Sequence, residues 1–351
     1  MKYSVRGLCA AEARPEVIDL WQRLGASESD ARSRFDWAFD PGPERSRCFL
    51  LDASGAPGSG STVVGMVGIY ARDVVVEGTR RRAALLGGFQ VEKNHRTFFP
   101  ALTLQRATFG WARREFDLVY GFPNPSASPI MKKLGFGPFA HLERHVLVLH
   151  HLRYVEQVWA GRGLAKLIAA PLDAYRLLVQ PGLVRGAPRG RAWRRFDSVD
   201  ARFARLFDAR ALPENSAGSR DGAFLQRRFL ERPDERTTVY GLCARDSGEL
   251  DAWVVVHVGG DVAHVRDLQG RDVKAMCSAL RLVANEVRKQ GCASLSFLCA
   301  APPALVAGLW SLGFQARPSA RVMIGLPGDR LADGPPSSLQ RWYLTEADED
   351  Q

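Results

Sequence analysis

The sequence predicts an α+β protein in which one fold with a mixed β-sheet occurs twice in tandem. Helix and strand patterns alternate along both halves, and each half ends on a strand, a helix and the tripeptide Leu-Gly-Phe, at residues 134–136 and 312–314. A chain of 351 residues is also about twice the length of one typical domain. The glycine of each tripeptide allows the left-handed backbone that ends a helix, and its apolar neighbours anchor that end to a core.

Residues 1–148 are predicted as the first domain. Apolar side chains recur there with a helical period, or alternate as they do in half-buried strands. In order, the predicted elements are a helix at 13–24, strands at 48–52, 63–71, 73–77 and 83–91, a helix at 101–114, a strand at 117–122 and a short helix before residue 134.

Residues 149–196 are predicted as a helical and arginine-rich linker. Two helical stretches, at 152–159 and 163–180, precede a run of glycines, prolines and five arginines, namely Arg185, Arg189, Arg191, Arg194 and Arg195. A solvated linker is the first interpretation of such a run. Trp193 among the arginines leaves open a second one, an arm that faces phosphate groups or a membrane surface.

Residues 197–328 are predicted as the second domain, and residues 329–351 as a loosely held tail. The predicted elements are a helix at 199–206, strands at 237–245, 250–258 and 263–269, a helix at 273–290, a strand at 294–299 and a helix at 303–311. The third of these strands passes almost directly into the long helix, without a loop suited to hold phosphate. We therefore expect this half to be a non-catalytic copy.

Composition limits the classes of partner and compartment. The net charge of +10 suits an acidic partner, such as a phosphorylated cofactor, a glycan phosphate, nucleic acid or an anionic membrane, although a generally basic surface explains it equally well. The six cysteines have no CxxC pair and no metal-ligand spacing, so we expect reduced thiols and no metal. No secretory signal opens the sequence, and the longest apolar stretch carries charges. These features favour a cytoplasmic protein and leave peripheral membrane contact open.

The segment from residue 83 to residue 148 carries the clearest resemblance to a known family. It runs from Gly-Gly-Phe-Gln-Val at 87–91 through Gly-Phe-Pro-Asn at 121–124 to Leu-Gly-Phe at 134–136. This order resembles the cofactor-binding half of the GNAT fold, the fold of a large superfamily of N-acetyltransferases. The resemblance implies two GNAT-like acyl-CoA N-acyltransferase domains in tandem, with acetyl-CoA or another acyl-CoA as cosubstrate.

The resemblance also implies the residues that bind the cofactor. In the family, free backbone groups of the first strand pair with pantetheine, and the following turn and helix N-terminus bind the pyrophosphate. The positions of this chain that correspond are Gln90, Val91, Arg96, Thr97, Ala101 and Asn124. Phe99 stands where the family has glycine, and Pro100 removes one N–H donor, so a degenerate loop that binds nothing is the alternative. For Asn124 the alternative is an Asx turn before Pro125.

Amide formation needs a base, because the attacking amine must lose a proton. Glu92, one residue beyond the strand, is the first candidate and His95 is the second; both can equally be solvated turn residues. Many family members protonate the leaving thiolate with a tyrosine on the short helix. Met131 occupies that position here, so the acid is missing or comes from elsewhere.

The predicted function is acyl transfer from acyl-CoA to an amine, on a small molecule, a sugar or a cell-surface glycan precursor. Three alternatives stay open. A tandem-GNAT aminoacyl transferase would use aminoacyl-tRNA, the only nucleic acid we expect as a partner. A non-catalytic binding protein on a GNAT fold would explain Phe99 and Met131. An acyl transferase dependent on an acidic carrier protein would explain the basic charge. No catalytic Ser-His-Asp order, Walker loop or Rossmann fingerprint points to another chemistry.

Overall fold

The structure is a computed structural model that describes residues 2–39, 46–55, 60–76, 78–158, 162–179, 185–209, 215–331 and 341–349. Two mixed β-sheets, each flanked by helices, make up this part of the chain. The prediction of a mixed-sheet fold that occurs twice is thereby confirmed.

The first sheet is built mainly from the first half. Its strands there are β1 (Lys2–Cys9), β2 (Ser46–Ser54), β3 (Ser61–Val76), β4 (Thr79–Val91), β5 (Leu118–Gly121) and β6 (Gly137–His141). The helices are α1 (Ala10–Arg23), α2 (Glu28–Ala38), α3 (Phe98–Glu115) and α4 (Ser128–Lys133), with a 3-10 turn at Lys93–His95. Helices cover both faces of this sheet, because successive residues of a strand point to opposite faces. In β2, Leu50 packs with α1 and α2 on one face, and Leu51 packs with α3 on the other.

The second sheet begins with a strand that the sequence assigns to the first domain, β7 (Glu143–Val148). The other strands of the second half are β8 (Arg191–Phe196), β9 (Ala217–Gly218), β10 (Thr237–Ala244), β11 (Leu250–Gly259), β12 (Val262–Gly270), β13 (Ser294–Cys299), β14 (Gln315–Arg317) and β15 (Val322–Pro327). The helices are α5 (Leu152–Val158), α6 (Arg162–Val179), α7 (Ala201–Asp208), α8 (Gly222–Leu225) with a π-helical turn at Gln226–Leu230, α9 (Val273–Lys289) and α10 (Pro303–Ser311). A 3-10 turn at Glu346–Asp348 follows near the end.

The two halves exchange strands. β15 lies in the first sheet, between β5 and β6, and β7 lies in the second sheet, between β13 and β14. The short β9 also pairs with β3 of the first sheet. Strand pairing therefore crosses the predicted boundaries at residues 148 and 328, and the halves cannot separate without losing these backbone hydrogen bonds.

Two local predictions in the strands and the linker are wrong. Residues 63–76 form part of one continuous strand, β3, because Arg72 and Asp73 keep the pairing with β4 where we expected a break. The end of the predicted linker is β8, which pairs with β10. Its Trp193 stacks on Tyr240 with ring centroids 5.3 Å apart, and this contact, with the ladder, makes the segment part of the sheet.

The predicted loose tail is also wrong for residues 341–349. Trp342, Tyr343 and Leu344 are buried, and the carboxylate of Asp348 pairs with the buried Arg220 at 2.7 Å. Apolar burial and a buried ion pair together fix this segment. The tail residues 332–340 and 350–351 lie outside the described residues.

All six cysteines are free thiols, four of them buried. None of the helices in the described ranges is long and apolar enough to cross a bilayer.

Candidate active site

The two parallel strands β4 and β5 diverge at the centre of the first sheet. They pair only from Ala83 opposite Leu118 to Leu86 opposite Gly121, and β4 then continues for five more residues without β5 beside it. A bulge interrupts its pairing with β3 at this point, and Gly88 in the bulge has a φ of +63°. A Cβ on Gly88 would also lie 3.1 Å from the Tyr70 hydroxyl, so glycine suits both the conformation and the space.

A cavity of about 270 Å³ opens where these strands diverge; we call it the strand cavity. Polar groups line it from five elements or loops, on Arg34, Gln90, Gln105, Asn124 and Arg321. The side chain of Gln105 is buried in α3, and its Oε1 has no hydrogen-bond partner in the structure. A buried unpartnered amide oxygen is costly, and a bound donor would satisfy it.

Two of the predicted cofactor residues, Gln90 and Asn124, line the strand cavity. The Oδ1 of Asn124 accepts a hydrogen bond from the backbone N–H of Ala127, three residues on, at 2.9 Å, so this side chain stabilises the turn after β5. The amide nitrogen of Asn124 takes no part in that bond. Both predicted roles of this residue are therefore compatible with its position.

The other predicted cofactor residues are Val91 at the end of β4, Arg96 and Thr97 on the loop before α3, and Ala101 in α3, and none of them lines the strand cavity. The Nε of Arg96 donates to the Val91 carbonyl at 2.7 Å, so this carbonyl already has a partner. Thr97 precedes the helix without capping it, and Ala101 is buried in the first turn. The backbone N–H groups of the first turn have no partners within the helix, and Pro100 supplies none.

The two predicted catalytic residues each contact a side chain from the first 23 residues of the chain. The Oε1 of Glu92 accepts from Arg23 Nε of α1 at 2.8 Å. The Nδ1 of His95 lies 3.0 Å from the hydroxyl of Tyr3. Neither residue is among those that line the strand cavity or the larger cavity beside it.

The larger cavity, of about 490 Å³, lies between the first sheet and the segment around α8; we call it the interdomain cavity. Its aromatic lining is Trp37, Tyr70, Tyr120 and Phe224. Its carboxylates are Asp73, Asp221 and Glu231, which are exposed, and Asp348 and Glu349, which are buried. Its arginines are Arg72, Arg220, Arg227 and Arg228. It is thus a pocket with an acidic rim.

The arginines of the interdomain cavity are held by the protein. Arg227 donates to main-chain carbonyls at the end of α2, including that of Trp37 at 3.0 Å. Arg72 donates to the Ala347 carbonyl at 3.0 Å, and burial lowers its pKa. Burial also raises the pKa of Tyr120 to about 12, so its phenol is protonated at neutral pH. By contrast, the side chains of Asp73 and Glu231 form no ion pair with any described residue.

The two cavities meet at Arg321 and Glu349. Arg321 lines the strand cavity, Glu349 lines the interdomain cavity, and Arg321 donates two hydrogen bonds to one carboxylate oxygen of Glu349. Tyr70 forms a second link, since it lines the interdomain cavity while its hydroxyl lies beside Gly88 of the strand cavity. The two cavities are therefore neighbours, with the Arg321–Glu349 ion pair between them.

The second sheet also has two parallel strands that diverge, and the tail fills the opening between them. The parallel strands β12 and β13 pair only from Val262 to Val265. Beyond that point Leu344 exchanges two backbone hydrogen bonds of 3.0 Å with Ala300 after β13, and Tyr343 donates through its hydroxyl to the Leu268 carbonyl of β12. The tail thus occupies the position that the first sheet leaves open.

The sequence interpretation missed Gln105, Arg321 and Glu349. The sequence does contain an indication for Gln105, because it is a polar residue on the same helical face as Leu104 and Thr108, which are buried. The sequence contains no such indication for Arg321 and Glu349, because their pairing depends on the strand exchange and on the path of the tail. Within the described residues, no cluster of three His, Cys, Asp or Glu side chains could hold a metal ion.

Comparisons with known proteins concern the fold of the chain. No family model and no curated protein matches the sequence. Among solved structures, the chain is similar to a GCN5-related N-acetyltransferase from Kribbella flavida, with a TM-score of 0.59, 16% identity and coverage of 94% of this chain and 72% of that one. It is similar to a tandem GNAT protein of the clavulanic acid biosynthesis pathway, with a TM-score of 0.52, 14% identity and coverage of 96% and 100%.

A third similar structure is the N-myristoyltransferase of Saccharomyces cerevisiae with bound myristoyl-CoA, with a TM-score of 0.52, 12% identity and coverage of 96% and 88%. These likenesses define the class of fold: two mixed-sheet units of the kind that N-acyltransferases use. The fold of this chain is the GNAT fold, present twice in tandem.

Proposed function

We propose that this protein is an acyl-CoA-dependent N-acyltransferase whose first half binds the acyl-CoA. The observation that carries the proposal is the strand cavity, where β4 and β5 diverge at a bulge and polar side chains converge. Pantetheine is a chain of amides, and it needs both donors and acceptors. The edge of β4 beyond its pairing with β5, the amides of Gln90 and Asn124, and the unpartnered oxygen of Gln105 supply both kinds.

The acceptor amine enters through the interdomain cavity. The carboxylates of Asp73 and Glu231 on its rim attract a protonated amine, because their negative charge is not neutralised by an ion pair among the described residues. An amino sugar or a glycan precursor is the acceptor that we propose from the resemblance, and acetyl-CoA is the first acyl donor to test.

Reaction occurs where the cavities meet. The protonated amine first gives one proton to bulk water, which frees the lone pair of its nitrogen. The nitrogen then attacks the thioester carbon and loses a second proton to the base, and the carbon–sulfur bond breaks to release the coenzyme A thiolate. We propose Glu349 as the base, ahead of Glu92 and His95, because it lines the acceptor cavity and contacts Arg321 of the donor cavity. Tyr70, whose hydroxyl lies beside the bulge, is the proton donor that we propose for the thiolate.

A second candidate function is that of a binding protein without catalysis. The loop before α3 favours it, since Arg96 already occupies the Val91 carbonyl and Pro100 removes a donor where the family binds pyrophosphate. The aminoacyl-tRNA alternative rests on the net charge of +10 and on the same weak phosphate loop.

Titration calorimetry of the full chain with acetyl-CoA tests the proposal. Gln105→Met removes the amide of the strand cavity while keeping the shape of the side chain, and should weaken binding about ten-fold, the effect of losing one buried hydrogen bond. Asn285→Leu is the matched control, because Asn285 of α9 is also buried with an unpartnered oxygen and lies in the second half. It should bind as the wild type does.

Absence of heat with acetyl-CoA and with longer acyl-CoA molecules would refute the enzyme proposal and favour the second candidate. Equal weakening by the two variants would show that the strand cavity is not the site.

A further inference from the structure

We propose that the helical hairpin formed by α5 and α6 binds an anionic membrane surface. This inference does not depend on the proposed reaction. It rests on an apolar face that the protein leaves uncovered and on the charge of the segment around it.

The helix α6 buries only one side. Ala165 and Ala169 are 0% and 2% exposed and pack against Val155 of α5. The rest of the helix surface carries large apolar residues in contact with solvent: Leu164 is 51% exposed, Leu167 73%, Leu172 41%, Tyr175 66% and Leu178 79%. Their spacing follows the helical period, so together they form one stripe along the helix.

The stripe is concentrated and not part of a generally apolar surface. Ten large hydrophobic residues are exposed in the described part of the chain, and six of them lie on this hairpin, the sixth being Val158 at the end of α5. Scattered apolar residues are ordinary on a protein surface, but a contiguous patch marks a binding face.

The charge of the segment identifies the kind of surface. Residues 149–190, from the end of β7 to the start of β8, contain six Lys and Arg and two Asp and Glu, a net charge of +4 out of +10 for the whole chain. Lys166 is exposed beside Leu164 and Leu167, and Arg185 and Arg189 are exposed just beyond α6. Leucines flanked by basic residues, with a tyrosine among them, are the composition of a helix that lies in the interface of an anionic bilayer.

A second copy of the chain is a poorer occupant of this face. Joining two hairpins would bring two segments of +4 charge together, and their repulsion opposes the contact. An anionic bilayer offers both an apolar layer for the leucines and negative headgroups for the basic residues.

Vesicle flotation with the full chain tests the proposal. Vesicles of phosphatidylcholine alone are compared with vesicles that also contain phosphatidylglycerol, at about 0.1 M and about 0.5 M salt. We expect the protein to float with the anionic vesicles, to bind the neutral ones less, and to bind less in the higher salt. The double variant Leu167→Glu, Leu178→Glu should lose about ten-fold or more of the binding, because it adds negative charge to the apolar stripe.

Trp310→Glu is the matched control, since Trp310 is 62% exposed on α10 of the second half. It should float as the wild type does. Sedimentation velocity without vesicles is measured on the same samples. Absence of flotation with anionic vesicles, or unchanged flotation of the double variant, would overturn the proposal. A dimer that the double variant dissociates, with no flotation, would instead assign the face to a second copy.

Discussion

Arg321 and Glu349 join at the junction of the two cavities, with Nε and Nη2 of the arginine 3.0 and 2.6 Å from Oε2 of the carboxylate. Arg321 immediately precedes β15, the strand that the second half contributes to the first sheet. Glu349 follows the tail that fills the opening in the second sheet. The second half therefore supplies both residues to a cleft that lies mainly in the first half. The second half of the chain thus contributes to the candidate site, although the opening in its own sheet is filled.

Replacing Glu349 by glutamine should lower turnover by about 10² to 10⁴, the usual contribution of a general base, while the KM for acyl-CoA changes little. Glutamine still offers an oxygen to Arg321, so the fold should be retained. The measurement is thiol release from acetyl-CoA in the presence of a panel of primary amines. Glu92→Gln is the control. It should leave turnover within a few-fold of the wild type, and a loss as large as that of Glu349→Gln would return Glu92 to the role of base.

Asn124 should have two separable roles, one in the turn and one in binding. Asn124→Ser keeps an oxygen that can accept from the Ala127 N–H, so the free energy of unfolding should stay near that of the wild type. Asn124→Ala should lose about 1 kcal/mol. Both variants remove the amide nitrogen from the strand cavity, so calorimetry should find weaker acetyl-CoA binding for both. Full affinity in Asn124→Ser would limit the residue to the turn.

Arg220 should be essential for holding the tail. It pairs with Asp267 at 3.2 Å and with Asp348 at 2.7 Å, and all three side chains are buried. Arg220→Met would leave two buried carboxylates without their cation, which should cost about 3–5 kcal/mol of unfolding free energy in urea. Arg205→Met is the control because its pair with Glu249 is exposed, and it should cost less than about 1 kcal/mol. Similar losses in the two variants would contradict a special role for the buried pairs.

The fold could be predicted from local patterns, whereas the pairing of its parts could not. The strand–helix–strand units and the glycines after α4 and α10 are written in consecutive residues, and the structure reproduces them within a few positions. β7 and β15 are short strands, and nothing in such a strand states which sheet it will join. Burial of the tail depends on Arg220, which lies more than a hundred residues away in the sequence. Prediction of the site was limited in the same way. The positions of Gln90 and Asn124 could be predicted from the strands that carry or precede them, but Glu349 reaches the interdomain cavity only through these long-range contacts.

Acidification should destabilise the exchanged strands through His145. This histidine lies on β7, it is buried, and burial lowers its pKa below the ordinary value of 6.5. The unfolded chain therefore binds a proton at a higher pH than the folded chain does. The stability that results is fully present above pH 6.5 and is lost as the pH falls through the lower, folded-state pKa, with each unit of difference worth about 1.4 kcal/mol.

Thermal melts between about pH 7.5 and about pH 5.5 measure this loss. The histidine His264 on β12 is shifted in the same direction by its burial, with a smaller contribution from Arg266, so the wild type should lose stability through both residues. His145→Gln has no proton to gain at this position, and its Tm should fall less over the same interval. His141→Gln is the control, because His141 is exposed on β6 and should follow the wild-type profile. If the two variants change in parallel with pH, His145 does not couple the exchanged strand to protonation.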